Sequence, residues 1–169
     1  MTMLTAKLAS GAQGEVQDQL LLVFELRQKR LFFAALVSGE EVALKLPRGA
    51  TLRGGDLLLA SDGRVIEVIA AAERVVHVEC STPSELARVA YHLGNRHVPV
   101  QVGDGFLRIG ENHVLEEMLR GLGAELTIIE APFEPESGAY AAGAHAQADH
   151  SAIRSGRIHE FGGSQRSDE

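Results

Sequence analysis

Tryptophan is absent from this 169-residue chain and cysteine occurs once, as Cys80. A single cysteine excludes an intramolecular disulfide framework. With no signal-peptide pattern over Met1 to Ser10, it points to the reducing cytoplasm. Long apolar runs are missing too: the longest, Leu31 to Val37, falls far short of the roughly 18 residues that a membrane-spanning helix needs. Basic residues are outnumbered, and the net charge of -7 argues against a nucleic-acid surface, which would carry a basic patch. With aromatics at 5%, the core has to be built from Leu, Val, Ile and Ala.

Catalytic signatures are lacking as well. None of Lys7, Lys29 and Lys45 stands in a Gly-x-x-x-x-Gly-Lys-[Ser/Thr] loop, which excludes P-loop nucleotide hydrolysis. There is no Gly-x-Ser-x-Gly elbow and no His-Glu-x-x-His. The stretch His113-Val114-Leu115-Glu116-Glu117 lacks the second histidine that a zincin helix places one turn later.

The patterning that is present divides the chain. From Met3 to Ala72, short apolar runs (Leu20 to Leu26, Leu31 to Val37, Val42 to Leu46, Asp56 to Leu59, Val65 to Ile69) alternate with turn residues such as Gly54-Gly55-Asp56 and Asp62-Gly63. This reads as a small all-β unit. After Glu73 the period changes. A strand over Val75 to Cys80 precedes Thr82-Pro83-Ser84-Glu85, where Thr82 caps a helix, Pro83 suits its first turn and Glu85 completes a capping box. Leu86, Val89, Ala90 and Leu93 form the apolar face of that helix, and Gly94 is expected to supply the left-handed residue that ends it. Val98 to Val102 and Phe106 to Ile109 flank Gly103-Asp104-Gly105 as a hairpin. A second helix follows, capped by Asn112, with Leu115, Met118, Leu119 and Leu122 inward and Gly121 or Gly123 as its stop. Leu126 to Ile129 is the last strand.

The order β-α-β-β-α-β is the ferredoxin-like arrangement, so the fold class expected is α+β. Beyond Tyr140 the chain is rich in Ala, Gly, Ser and charge, too poor in large apolar groups to offset its ordering entropy. The expected organisation is a β-rich unit over residues 1–73, a ferredoxin-like unit over 74–144 and a flexible tail with histidines over 145–169. The first two are expected to be separable, so that residues 74–145 fold without the rest.

What could carry chemistry is the histidine set: His77, His92, His97, His113, His145, His150 and His159. Neutral imidazole is a borderline-soft ligand well suited to Ni, Cu and Zn. Each residue also has a plain reading. His97 near a helix C-terminus suits the helix dipole, His113 could simply be an early helical residue, and His77 and His92 read as structural or surface histidines. Cys80 at a strand end reads as a small buried hydrophobe. The tail histidines could reflect composition alone.

Three blocks shift that balance. Gly94-Asn95-Arg96-His97-Val98-Pro99, then His113-Val114-Leu115 with Met118-Leu119, then Ala131-Pro132-Phe133-Glu134-Pro135-Glu136-Ser137-Gly138-Ala139-Tyr140 together resemble the UreE family of urease accessory nickel chaperones. Leu44-Lys45-Leu46-Pro47-Arg48-Gly49 and Leu52-Arg53-Gly54-Gly55-Asp56 extend the resemblance, which spans about residues 4 to 145.

The resemblance implies a β-rich N-terminal domain engaged with partners, a ferredoxin-like metal-binding domain and a homodimer. It further implies nickel delivery to apo-urease with an accessory GTPase. It carries His97 over as the principal ligand at the dimer centre, with His113 and His145 as further ligands, and His150 is the next tail candidate. The ion implied is Ni(II), with Zn(II) or Cu(II) competing at the same site. Two departures stand out: Asn112 replaces the family's usual Asp, and the tail lacks a long polyhistidine run. Two other readings use the same residues. One is a metal-buffering or metal-regulated protein, the other a metal-dependent hydrolase with Glu116 or Glu117 as general base.

Overall fold

The computed structural model describes residues 2–8 and 14–137. Its first half is one six-stranded sheet of β1 (Thr2–Lys7), β2 (Val16–Leu22), β3 (Leu31–Ala35), β4 (Glu41–Lys45), β5 (Leu57–Ala60) and β6 (Val65–Ala70), in the order β2-β6-β5-β1-β4-β3. β1 runs parallel to β4 and β2 parallel to β6; the other pairings are antiparallel. Alternation decides the inner face: Leu4, Leu20, Leu22, Val42, Leu44, Leu58, Ile66 and Val68 point into one core and are essentially inaccessible. The sheet curls because, just past β3, the Val37 N–H reaches the Gln19 carbonyl on β2 at 2.9 Å.

One expectation for this half needs correction. The run from Leu20 to Leu26 is not a continuous strand: the chain leaves β2 at Leu22 and makes one helical turn, α1 (Phe24–Arg27). The reason is Arg27, which that turn swings into the interior, where the side chain is 0% exposed. β1 opens this half near Met3, where the strand patterning begins, and its Leu4 is fully buried. Asp62-Gly63 does turn the β5–β6 hairpin, with Gly63 at φ 90°.

The second half contains β7 (Ala72–Glu79), α2 (Pro83–Gly94), β8 (Val100–Val102), β9 (Phe106–Gly110), α3 (His113–Gly121) and β10 (Glu125–Pro132). The strands form an antiparallel sheet in the order β10-β7-β9-β8, that is fourth, first, third, second, the ferredoxin-like topology. The chain is thus α+β, as its patterning predicts. Val76 and Val78 on β7 and Leu107 and Ile109 on β9 pack against Val89 and Leu93 of α2 and Leu115 and Leu119 of α3. Thr82 and Glu85 form the predicted capping box on α2, and the Asn112 carboxamide accepts from the Val114 and Leu115 N–H groups at the start of α3. α3 ends in a Schellman motif. Ala124 N–H bonds the Leu119 carbonyl, Gly123 N–H bonds that of Arg120, and Gly123 takes φ 89°. Among the described residues no helix is long and apolar enough to cross a membrane.

An ion pair between a fully buried arginine and a half-buried glutamate joins the two sheets. After β10 the chain crosses back, placing Phe133 edge-on to Phe24 at 5.3 Å and Glu134 against the first half. Arg27 Nη1 pairs with Glu134 Oε1 at 2.7 Å, and its other donors reach the carbonyls of Leu22, Leu52 and Phe133. Arg53 Nη1 holds Glu134 Oε2 at 3.1 Å, and the Gly54 N–H donates to Oε1 at 2.9 Å. Gly54 has to be small here, since a Cβ would lie 3.2 Å from that carboxylate oxygen. Burial alone would raise the Glu134 carboxyl, but the Gly54 N–H and the two guanidinium groups outweigh it and hold it below the ordinary carboxylate range.

A depressed carboxyl stabilises the fold above its unfolded value, near 4.5, and that contribution disappears as pH falls through the lower folded value. We expect the difference in unfolding free energy between wild type and Glu134→Gln to shrink as the solution is acidified below that range. A constant difference in denaturant titrations from neutral to acidic pH would contradict this.

Candidate metal centre

The sequence predicts the left-handed residue after α2 at Gly94; the structure puts it at His97. Gly94 is the last helical residue, Asn95 and Arg96 continue as a turn, and His97 has φ 52°, a lone positive value among the described non-glycine residues. The turn is fixed by bonds from the Arg96 N–H to the Leu93 carbonyl and from the His97 N–H to that of Gly94, both 3.0 Å. Arg96 also folds its guanidinium back onto the His92 carbonyl at 2.9 Å. Leu93 is fully buried, so the turn hangs from the core while His97 stands exposed at its tip. A left-handed histidine costs about 1 kcal/mol or more relative to ordinary backbone regions. Its own side chain is exposed and buries nothing in return, although Val98, the next residue, packs on the second core cluster.

His113 opens α3, directly after the Asn112 cap, and is also exposed. A cavity of about 340 Å³ is lined by Val98 and Pro99, which follow His97, and by Glu111 and Asn112, which precede His113, but neither histidine lines it. Among the described residues, however, no three His, Cys, Asp or Glu side chains converge to hold an ion. One copy therefore presents two exposed histidines, at the turn after α2 and at the start of α3, without a closed ligand set. His145 and His150 lie outside the described residues, as does His159.

Glu134 N–H bonds Gln101 Oε1 on β8 at 3.1 Å, and Glu136 N–H bonds the Val100 carbonyl at 2.8 Å. The chain as far as Glu136 is thus tied to the edge strand that begins three residues after His97.

The remaining candidates fit plain roles. His77 lies on the sheet face away from the helices, its ring 4.6 Å from that of Phe106 and its Nδ1 facing Arg108 Nε at 3.5 Å. His92 stacks edge-on to Tyr91. Cys80 packs against the second core cluster, and burial raises its thiol pKa, with Glu85 adding to the effect, so it is a poor thiolate ligand. Glu116, a candidate hydrolytic base, is committed to Arg120 at 3.2 Å. Sequence reasoning misses Arg27 and Glu134 as a pair, because nothing in spacing links positions so far apart.

The comparisons agree with both halves of this architecture. Residues 3–71 match the description "UreE urease accessory protein, N-terminal domain" and residues 73–161 match "UreE urease accessory protein, C-terminal domain". A relative from Nitrosospira multiformis, named "Urease accessory protein UreE", is 49% identical over 143 residues, covering 85% of this chain and 81% of its own. Proteins of the same name from Azotobacter vinelandii (49% over 144 residues, 85% and 87% covered) and Alkalilimnicola ehrlichii (51% over 140 residues, 83% and 85% covered) are equally similar. The chain belongs to the UreE family of urease accessory proteins.

Proposed function

We propose that this chain is a nickel carrier for urease maturation, binding Ni(II) through His97 of two copies at a homodimer axis and releasing it to apo-urease. The observation that carries this reading is His97 itself: exposed, held at a costly left-handed φ, and placed in the Gly-Asn-Arg-His block of a UreE chain.

One imidazole is too few ligands for a nickel ion, and two-fold symmetry supplies a second, because a residue on the axis meets its own copy. His113 at the start of α3 and the tail histidines His145 and His150 are the remaining ligands of the proposal. Ser137 to His145 is eight residues, a reach of up to about 26 Å at 3.3 Å each, and it starts just after the tie at Val100. A ligand set left incomplete by the folded core suits a carrier, whereas four rigid ligands make a closed structural site. Zn(II) and Cu(II) compete at nitrogen ligands. The partners proposed are apo-urease and an accessory GTPase in the cytoplasm, with the β-rich residues 1–73 as the partner-facing unit.

A buffer that bound the same ions without transfer would differ in one experiment. Nickel-loaded wild type should activate purified apo-urease faster than the same amount of free nickel in the presence of a competing chelator. Activation no better than free nickel would leave a buffer and reject the carrier.

Deleting 141–169 should preserve fold and dimer while lowering nickel stoichiometry or affinity; identical titrations of the full and shortened chains would remove the tail from the mechanism. Binding should also weaken as pH falls below about 6.5, where protons compete for imidazole ligands. Affinity that does not change on acidification would point to carboxylates instead.

A further inference from the structure

The outward face of the first sheet carries apolar side chains that the fold does not use. β3 alternates, with Phe32 and Ala34 packed on the inner core and Leu31 and Phe33 turned outward, 69% and 72% exposed. Register continues this pattern across the sheet. Phe33 stands opposite Ala43 on β4, and Ala43 stands opposite Met3 on β1, which is 36% exposed. Phe33 and Met3 thus stand exposed on either side of Ala43, itself only 5% exposed, in one apolar row crossing three strands.

The charges beside this row are arranged symmetrically. Two residues along β4 in one direction is Lys45, opposite Leu31; two residues in the other is Glu41, opposite Ala35. Both share the outward face with Ala43, about 7 Å to either side of the row at 3.4 Å per residue. Both are exposed, and neither pairs with an opposite charge among the described residues, unlike Glu40 and Arg64 nearby.

A face with one positive end, an apolar middle and one negative end is complementary to itself. A two-fold axis along the row lays Phe33 over Phe33 and Met3 over Met3 of the second copy, and brings each Lys45 onto the other copy's Glu41. An unrelated partner would need an apolar patch but not charges of opposite sign equidistant from its centre. We propose that this face is a self-association surface, binding the same face of a second copy of the chain about a two-fold axis along the Phe33–Ala43–Met3 row. The surface is separate from His97, so it acts in addition to the homodimer proposed above. With only three large apolar side chains per copy, it belongs among the small, reversible interfaces.

Sedimentation velocity on the full-length protein with EDTA present, which removes metal-linked association, tests this. Wild type should show a mass that rises with concentration above its smallest assembly, and Phe33→Ser should abolish the rise. Lys45→Glu and Glu41→Lys should each weaken association about tenfold through like-charge contacts. An equimolar mixture of those two variants should recover it, because the first then carries acid at both ends of the row and the second carries base at both. All three side chains are exposed, and circular dichroism checks that each variant is folded. A wild-type mass independent of concentration, a rise that survives Phe33→Ser, or a mixture that associates no better than its components would overturn the proposal.

Discussion

Glu134→Ala should destabilise the protein by about 3 kcal/mol, the lower end of what breaking a buried ion pair costs, because it strands the guanidinium of a fully buried Arg27. For a chain of this size that is a fall in melting temperature of roughly 6–12 °C. Glu134→Gln keeps an acceptor for the Gly54 N–H and for the two arginines, and should cost only about 1–2 kcal/mol. Chemical denaturation of the three proteins checks both numbers and their order. A Glu134→Ala loss below about 1 kcal/mol would mean that the three carbonyls around Arg27 satisfy it without a counter-charge.

The same clasp bears on how separable the halves are. Residues 74–145 retain the whole second core cluster, so they are expected to fold alone. Such a fragment loses Phe24 from Phe133 and Arg27 from Glu134, and should be less stable than the second half is within the full chain.

Most of the second half is legible in sequence because its signals are local. The Thr82 and Glu85 capping box, the Asn112 cap, the Gly103-Asp104-Gly105 turn and the Gly123 stop are each decided within a few residues, and each forms as read. The clasp is not legible. Arg27 looks like one more surface charge beside Lys29, and only the return of the chain after β10 shows that Phe133 and Glu134 enclose it. Glu134 is visible as part of a family block, yet the block gives no hint that its carboxylate ties the two sheets together.

The site shows the same division. His97 and His113 are candidates through the family blocks, and both stand exposed, one at the turn after α2 and one at the start of α3. Sequence alone points to Gly94 for the left-handed backbone, because glycine ordinarily ends a helix that way. Instead α2 runs through Gly94 and the chain turns left-handed three residues later. That displacement sharpens the second large prediction. At φ 52° glycine is favoured over any side chain, so His97→Gly should relieve backbone strain and hold or raise stability, while His97→Ala should be less stable than His97→Gly by about 1 kcal/mol. Both should lose nickel. If His97 served only the dipole of α2, both changes would forfeit about 0.3–1 kcal/mol of dipole stabilisation, offsetting part of the strain relieved in His97→Gly, and would leave metal binding intact. Nickel affinity therefore separates the two roles.

Calorimetric titration of nickel into the full-length wild type and His97→Gly, side by side with their thermal melts, tests the central claim most directly. The expected result is a tight site shared by two wild-type chains that weakens by more than about a hundredfold in His97→Gly, beyond what a change outside the ligand shell costs, with the melt unchanged or raised. An equally stable His97→Gly that binds nickel as tightly and in the same ratio as wild type would contradict the account.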